Sequence, residues 1–504
     1  MRPPDTEVEL KLAIGSASAR RAAEREVGAA RPRTLESIYY DTGDHRLRAA
    51  GYCLRVRREA GKWSQAVKGG AGLARYENER LIKSAAPVFA LLDSTPAAGL
   101  IGAAEDLRPI FRVKVERRSR IRKVGLSRIE LSLDEGELAA LDRTWPILEL
   151  ELELKSGRPC DIFAEARRLA GAEALVPAFA SKAERGHALR DGALGEPAKV
   201  HFPPFDRELS AGGAFQAIGR ACLEHLALNA DLIRSGQRIE ATHQARVALR
   251  RLRVALTVFK PFLAGDRRES LKGELVWLTG ELEGARNLDV FAFEAFRPAA
   301  RTLADPAPMA ALGQALLGAQ QAAHARAASA VDGARYRRLL IDAADWIETA
   351  DWSGDALTGR EAEGPARQFA RSALDRRRKA LGKRVKTLNW KDPLARHKLR
   401  IEAKKMRYAS EFFAGLADGR RARRRLAFTD VLETLQTSLG RLNDIWVGQR
   451  TALAALNRLG ERRDADGAGF AAGVVVGQDL ARAAPLIKAA KRESRAFAKT
   501  VDWW

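Results

Sequence analysis

The chain has 504 residues, enough for roughly two to four domains of ordinary size. Its 46% hydrophobic and 30% charged residues exclude a disordered chain, and 87 Lys+Arg against 64 Asp+Glu leave a formal charge of +23. That surplus points to a polyanionic partner, whether nucleic acid, anionic lipid or a phosphate polymer.

Three scattered cysteines (Cys53, Cys160, Cys222) argue against a disulfide scaffold and against a cysteine-based zinc site. The N-terminal segment has no signal-peptide pattern, and no apolar run approaches the ~20 residues of a membrane helix. A cytoplasmic protein with no membrane partner is expected.

From residue 5 to 192 short segments alternate with period two. The first is Glu7-Val8-Glu9-Leu10-Lys11-Leu12. It is followed by Leu54-Arg55-Val56-Arg57, Phe111-Arg112-Val113-Lys114-Val115, Ile129-Glu130-Leu131-Ser132-Leu133-Asp134 and Leu148-Glu149-Leu150-Glu151-Leu152-Glu153-Leu154. Such alternation predicts antiparallel strands, with helices over Ser16–Val27 and Cys160–Gly171 between them. Residues i, i+2 and i+4 of a strand share a face, so the charges gather on one side and the aliphatics on the other. Two architectures satisfy this: a solvated sheet over an apolar core, or a barrel with a charged lumen and helices on its apolar exterior. Carboxylates in a Glu-x-Glu-x-Glu run repel unless cations lie among them. Two acidic runs beside several Arg/Lys pairs suit a divalent cation on glutamate oxygens, with arginine and lysine on phosphate.

These segments resemble the CYTH domain, the triphosphate tunnel metalloenzymes. The resemblance rests on Glu7-x-Glu9-x-Lys11, Tyr39-Tyr40-Asp41-Thr42, Leu54-Arg55-Val56-Arg57, Lys68-Gly69, Arg75-x-Glu77-x-Glu79, Phe111-Arg112 with Glu116-Arg117, Glu149-x-Glu151-x-Glu153-x-Lys155 and Ser181-Lys182-x-x-Arg185-Gly186, in that order. It implies an eight-stranded antiparallel tunnel coated by helices. It makes Glu7, Glu9, Glu149, Glu151 and Glu153 ligands for Mg²⁺ or Mn²⁺, with Glu130 and Asp134 in the metal or water shell. It makes Lys11, Arg55, Arg57, Lys68, Arg112, Lys114, Arg117 and Lys182 grips for phosphate. Glu7, Glu9, Lys11, Arg55, Arg57 and Lys182 are the implied catalytic set. Arg185 fits either this set or a surface position, and His187 stands where the family often has tyrosine, at a position expected to pack.

Residues 193–207, with their prolines, read as a linker. From 208 to 500 the pattern becomes long Ala/Leu/Arg helices, giving an α+β chain overall. An internal repeat divides this half, about 208–300 and 366–500. His243-Gln244-Ala245-Arg246-Val247-Ala248-Leu249-Arg250-Arg251-Leu252-Arg253 returns as His397-Lys398-Leu399-Arg400-Ile401-Glu402-Ala403-Lys404-Lys405-Met406-Arg407. On a helix, His243, Arg246, Arg250 and Arg253 fall within an arc of about 80°, and His397, Arg400, Lys404 and Arg407 repeat it. Arg251 and Lys405 flank the two arcs. Two facing stripes would form a basic groove for a polyanion.

This half resembles the CHAD domain, through the two His-x-x-Arg helices, Arg286-Asn287-Leu288-Asp289 and Leu439-Gly440-Arg441-Leu442-Asn443-Asp444. The resemblance implies two pseudo-symmetric helical bundles that bind inorganic polyphosphate. The whole reads as a metal-dependent hydrolase of inorganic triphosphate, with other triphosphates or short polyphosphate as further substrates, and with a polyphosphate-binding module that could associate it with polyphosphate granules. A non-catalytic polyphosphate binder and a tunnel-type adenylate cyclase are the alternatives. No nucleic-acid motif accompanies the charge.

Overall fold

A computed structural model describes residues 6–504 except 71, 103–105, 173, 203–204, 206–207, 237–238, 264, 304–305, 351, 353–355 and 460–464. Four residues of the expected linker thus lie outside the described residues. The chain forms two compact units. The first joins Met1–Lys199 to Leu223–Leu232 and Asp332–Asp351, and the second takes Val200–Cys222, Ile233–Val331 and Trp352–Trp504.

Among the described residues the first unit is built on nine strands: β1 (Thr6–Ile14), β2 (Arg33–Thr42), β3 (Tyr52–Glu59), β4 (Lys62–Gly69), β5 (Ala74–Ile82), β6 (Leu107–Val124), β7 (Ser127–Ala140), β8 (Arg143–Ser156) and β9 (Leu175–Ala178). Their antiparallel order is β5-β4-β3-β2-β6-β7-β8-β1-β9. β1 also pairs with β5, Glu7 opposite Arg75, which closes the first eight strands into a barrel. The short β9 lies on the same edge of β1 further along, from Lys11 to Ile14. The barrel and its helical coat are as the sequence predicts. Val8, Leu10 and Leu12 are buried on the outside of β1, and helices Ala17–Val27 and Pro159–Ala172 cover the outer face of β7, β8 and β1. Each such aliphatic contributes about 1.5–3 kcal/mol when fully buried.

One end of the lumen is apolar. Leu35, Phe111, Val113, Val115 and Leu138 face inward there and meet Leu189 of helix Lys182–Arg190. A Cβ at Gly186 would lie 2.2 Å from the Phe111 ring, so only glycine lets this helix seat against the inner wall. A capping box fixes its start: Ser181 Oγ accepts from Glu184 N, and the Glu184 side chain accepts from Ser181 N.

Two segments from beyond residue 200 complete this unit. Arg167 bridges Asp342 at 2.6 Å and Asp345 at 2.5 Å, and the buried Arg337 donates to Ala170 O. The first part of the expected linker is packed as well, with Asn229 Nδ2 donating to Ala198 O at 3.1 Å.

In the second unit the repeat appears as two 20-residue helices, Ile239–Val258 and Pro393–Phe412, each followed by a longer one, Asp266–Val290 and Gly419–Leu459. Phe259 and Phe413, at the same offset from His243 and His397, meet with ring centroids 5.8 Å apart, and Phe369 stacks on Phe259 at 4.9 Å. One stretch, Gly467–Ala498, has the length and mean hydropathy (1.3) of a membrane span. It is two helices, Ala465–Ala481 and Ala483–Ala498, broken at Arg482, which pairs with Asp479 at 3.3 Å.

Candidate functional site

Register decides which charges enter the lumen. β3 turns Arg55 and Arg57 inward, β4 Lys68, β5 Arg75, and β6 Arg117. Opposite them β7 brings Glu130 and Asp134, β8 brings Glu149, Glu151 and Glu153, and β1 brings Glu7, Glu9 and Lys11. A basic arc therefore faces an acidic one across a narrow interior.

At the junction of the arcs lies a saturated cluster. Asp134, Glu149 and Glu151 offer carboxylate oxygens within 4.8 Å of one another. The Lys182 ammonium reaches all three, at 2.6, 2.5 and 2.7 Å. Arg117 donates two bonds of 2.6 Å to Asp134 and one more to Glu151, and Arg185 donates to Glu149 at 2.6 Å. Burial alone would drive a lysine toward its neutral form. The three carboxylates outweigh burial and raise the pKa of Lys182. In return, Lys182, Arg117 and Lys11 overcome burial and hold the Glu151 carboxyl well below the ordinary glutamate value.

The rest of the lumen is less well matched. Lys68 contacts Glu7 at 2.7 Å and Glu77 at 3.0 Å, and Arg55 reaches Glu77 at 3.3 Å and Glu79 at 3.4 Å. Lys11 pairs with Glu9, and Lys155 with Glu130 and Glu153 at 2.9 and 2.7 Å. Arg57 is different. Among the described residues its guanidinium has no carboxylate partner and donates only to Ser37 Oγ at 3.3 Å. Burial, then Arg55 and Arg117, lower its pKa. A half-buried cation repelled by its neighbours favours an anion beside it.

The structure separates the sequence-predicted residues. Glu7, Glu9, Lys11, Arg55, Arg57, Lys68, Arg117, Glu149, Glu151, Glu153 and Lys182 all share the lumen. Arg112 and Lys114 do not: both point outward and are exposed, Lys114 lying 4.0 Å from Glu36. At the plugged end the interior is apolar, so alternation there turns Phe111, Val113 and Val115 inward and the cations out. Lys182, expected to grip phosphate, holds carboxylates instead. Arg185 belongs to the interior cluster. His187 packs, its ring 5.2 Å from Phe111, and burial followed by Arg48 pushes its pKa down to about 4. Arg75, Glu77 and Glu79 also face the lumen, and the sequence reading assigned them no role. Their own i, i+2, i+4 spacing, set against Glu7, was the available signal.

A divalent cation finds two acidic groups here. The Asp134–Glu149–Glu151 cluster is already neutralised by Lys182, Arg117 and Arg185. Glu7, Glu9 and Glu153 have only one lysine each (Lys68, Lys11 and Lys155) among the described residues and are the less fully neutralised set. Burial, then Glu151, raises the pKa of Glu9, and burial together with Glu7 and Glu9 raises that of Glu153. Oxygen donors that repel one another in this way fit a hard cation.

In the second unit the two basic stripes converge. Arg250 donates to the Tyr408 hydroxyl at 3.3 Å, across from its own helix. Burial, then Arg250 and Arg400, push the Lys404 pKa down to about 5. Burial is the chief cause of the lowered Arg400 pKa, with Asp444 opposing and Arg250 assisting. Burial also brings Arg246 down to about 10. His243 is pushed to about 4 by burial and then Arg286, while His397 Nδ1 lies 2.6 Å from Asn443 Oδ1. Other predicted cations are engaged locally. Arg251 and Arg407 both reach Glu411 (2.9 and 3.4 Å), each with its guanidinium carbon 5.1 Å from the Tyr408 ring centroid. Lys405 pairs with Glu402 at 2.8 Å. Arg253 carries a lowered pKa, from burial and then Arg250. The mutually repelling core is therefore Arg250, Arg400 and Lys404, with Arg246, Arg253 and His243 beside it.

Comparison with known proteins divides the chain in sequence order, its second match including the Leu223–Leu232 and Asp332–Asp351 segments of the first unit. Residues 5–186 match the CYTH domain model and residues 217–453 the CHAD domain model. An inorganic triphosphatase of Haemophilus influenzae is 31% identical over 162 residues. Those residues are 31% of this chain and 46% of that protein, so the chain spans about half the length of the curated relative it matches. The crystal structure of the CHAD domain from the plant Ricinus communis is 29% identical, covers 60% of this chain and 96% of that one, and superposes with a TM-score of 0.52. PptA from Streptomyces chartreusis is 18% identical, covering 57% of this chain and 99% of its own, at a TM-score of 0.44. The two family matches take up most of the sequence, and the chain is a CYTH domain followed by a CHAD domain.

Proposed function

We propose that the barrel hydrolyses inorganic triphosphate. The observation that carries this reading is Arg57, a half-buried guanidinium with no carboxylate partner among the described residues, set in a basic arc opposite an acidic one. Arg55, Arg57 and Lys68 would bind the phosphate chain and neutralise its charge, with Arg75 beside them. Glu7, Glu9 and Glu153 would hold a divalent cation, Mg²⁺ or Mn²⁺, which would supply Lewis-acid charge neutralisation and a more acidic water. Phosphoryl transfer asks little covalent chemistry of the protein, so positioning and charge neutralisation suffice. The 31%-identical inorganic triphosphatase supports the reading.

The test is phosphate release from tripolyphosphate, ATP, pyrophosphate and long-chain polyphosphate. Tripolyphosphate should be hydrolysed fastest with Mg²⁺ or Mn²⁺, and chelator should abolish release. Turnover that persists in chelator would end the metal reading. Binding without turnover of any of the four would leave a non-catalytic binder.

For the helical unit we infer inorganic polyphosphate as the ligand. Arg250, Arg400 and Lys404 are crowded and half-buried, and a chained anion would relieve their repulsion along its length. Changing Arg250 and Lys404 together to alanine should weaken long-chain polyphosphate binding at least tenfold and leave tripolyphosphate turnover unchanged, as read by titration and phosphate release side by side. Parallel loss of both activities would contradict separate sites.

A further inference from the structure

Away from the paired stripes, the helical unit has a cleft of about 450 Å³. It lies between helix Ala366–Lys386, the N-terminal end of helix Gly419–Leu459 and the last two residues, Trp503 and Trp504. That volume falls within the range of small-molecule sites, about 300–1,000 Å³.

Its walls carry two kinds of group. Arg367 and Arg371 lie one turn apart on a single helix face, and Arg421 comes from the first turn of the second helix. All three are exposed, and none has a carboxylate partner among the described residues. Arg420, Arg423 and Arg424 crowd the same helix end. Cations there oppose the helix dipole, so the sequence holds positive charge where local electrostatics disfavours it. The other wall is indole. Trp503 Nε1 donates to Ser410 Oγ at 3.1 Å and Trp504 Nε1 to Asp375 Oδ1 at 2.8 Å. Trp504 also packs edge-on with Phe428, centroids 5.5 Å apart. Both rings are thereby fixed with their polar edges engaged.

We propose that this cleft binds a nucleotide, its phosphates on Arg367, Arg371 and Arg421 and its base against Trp504. A bare phosphate chain would use the arginines and leave the indoles idle. An uncharged aromatic would do the reverse. A nucleotide engages both, by charge-assisted bonds to phosphate and by stacking on an aromatic face.

The experiment photolabels the full chain with 8-azido-ATP in chelator and maps labelled peptides by mass spectrometry. Label is expected in peptides holding Trp503–Trp504 or the start of helix Ala366–Lys386. Arg367→Ala with Arg371→Ala should reduce it about tenfold or more, while tripolyphosphate turnover and thermal melting stay at wild-type values. Label confined to residues 6–199, or cleft label that survives the double substitution, overturns the proposal. So does displacement by tripolyphosphate as effective as that by ATP, since the ring would then contribute nothing. Displacement by a single-stranded oligonucleotide but not by ATP would likewise overturn it, assigning the cleft to nucleic acid.

Discussion

Arg57→Ala should lower tripolyphosphate turnover by roughly 10²–10³-fold, the usual cost of deleting one preorganised group that stabilises developing charge. It should do so without destabilising the fold. Among the described residues Arg57 has only Ser37 Oγ as a hydrogen-bond acceptor, and burial, Arg55 and Arg117 all disfavour its charge. Removing it relieves repulsion, so the melting temperature should hold or rise slightly. Arg55→Ala provides the contrast. It also removes a phosphate grip, but it strips Glu77 and Glu79 of their shared guanidinium, and melting should fall. Phosphate-release kinetics and thermal melts on the two variants decide the matter. Equal losses of melting temperature in both, or near-normal turnover in Arg57→Ala, would show that Arg57 is a structural cation.

Lys182→Met is expected to be the most damaging single change in the barrel. It removes one cation from three carboxylates that are each within 2.7 Å of it, and Asp134 and Glu149 are 0% and 2% exposed. Breaking a buried pair from one side costs about 3–5 kcal/mol, since the remaining charge stays desolvated. Arg117 and Arg185 persist, which places the loss toward the lower figure. The pH dependence has a definite sign. Glu151 has a folded pKa below its unfolded value, so its contribution is present above the unfolded value near 4.5 and is lost as pH falls through the folded one. Without Lys182 that depression weakens. The stability gap between wild type and variant should therefore be widest near pH 7 and narrow as pH falls below about 4.5. Urea unfolding at a series of pH values measures it. A gap that is small at neutral pH, or that widens on acidification, would contradict the arrangement.

Much of this architecture could be read from the residues. The alternation Glu7, Glu9, Lys11 against Val8, Leu10, Leu12 places every side chain on its correct face, because the lumen is charged there and the helical coat apolar. The same rule misleads at Arg112 and Lys114. It says which residues share a face, and it does not say which face is the interior once the lumen itself turns apolar around Phe111. Lys182 shows a second limit. Its pairing with Asp134, Glu149 and Glu151 joins residues 31 to 48 positions apart through the seating of a helix on the inner wall, which Gly186 permits and no local pattern encodes. In the helical half the repeat identifies both stripes. It does not separate Arg251, Arg407 and Lys405, which are tied to Glu411 and Glu402, from the crowded Arg250, Arg400 and Lys404, because that distinction depends on which acids the bundle brings near.

The barrel's outer covering has a consequence for how the protein is made. Arg167 and the carbonyl of Ala170 find their partners on a segment that runs to residue 351. Synthesis proceeds from the N-terminus at about 5–20 residues per second. For several seconds or more, an emerging chain displays strands β1–β9 while part of their wrapping, from Asp332 on, is still untranslated. The nascent barrel must wait in that unfinished condition, so chaperone demand should peak before the second unit has been fully translated.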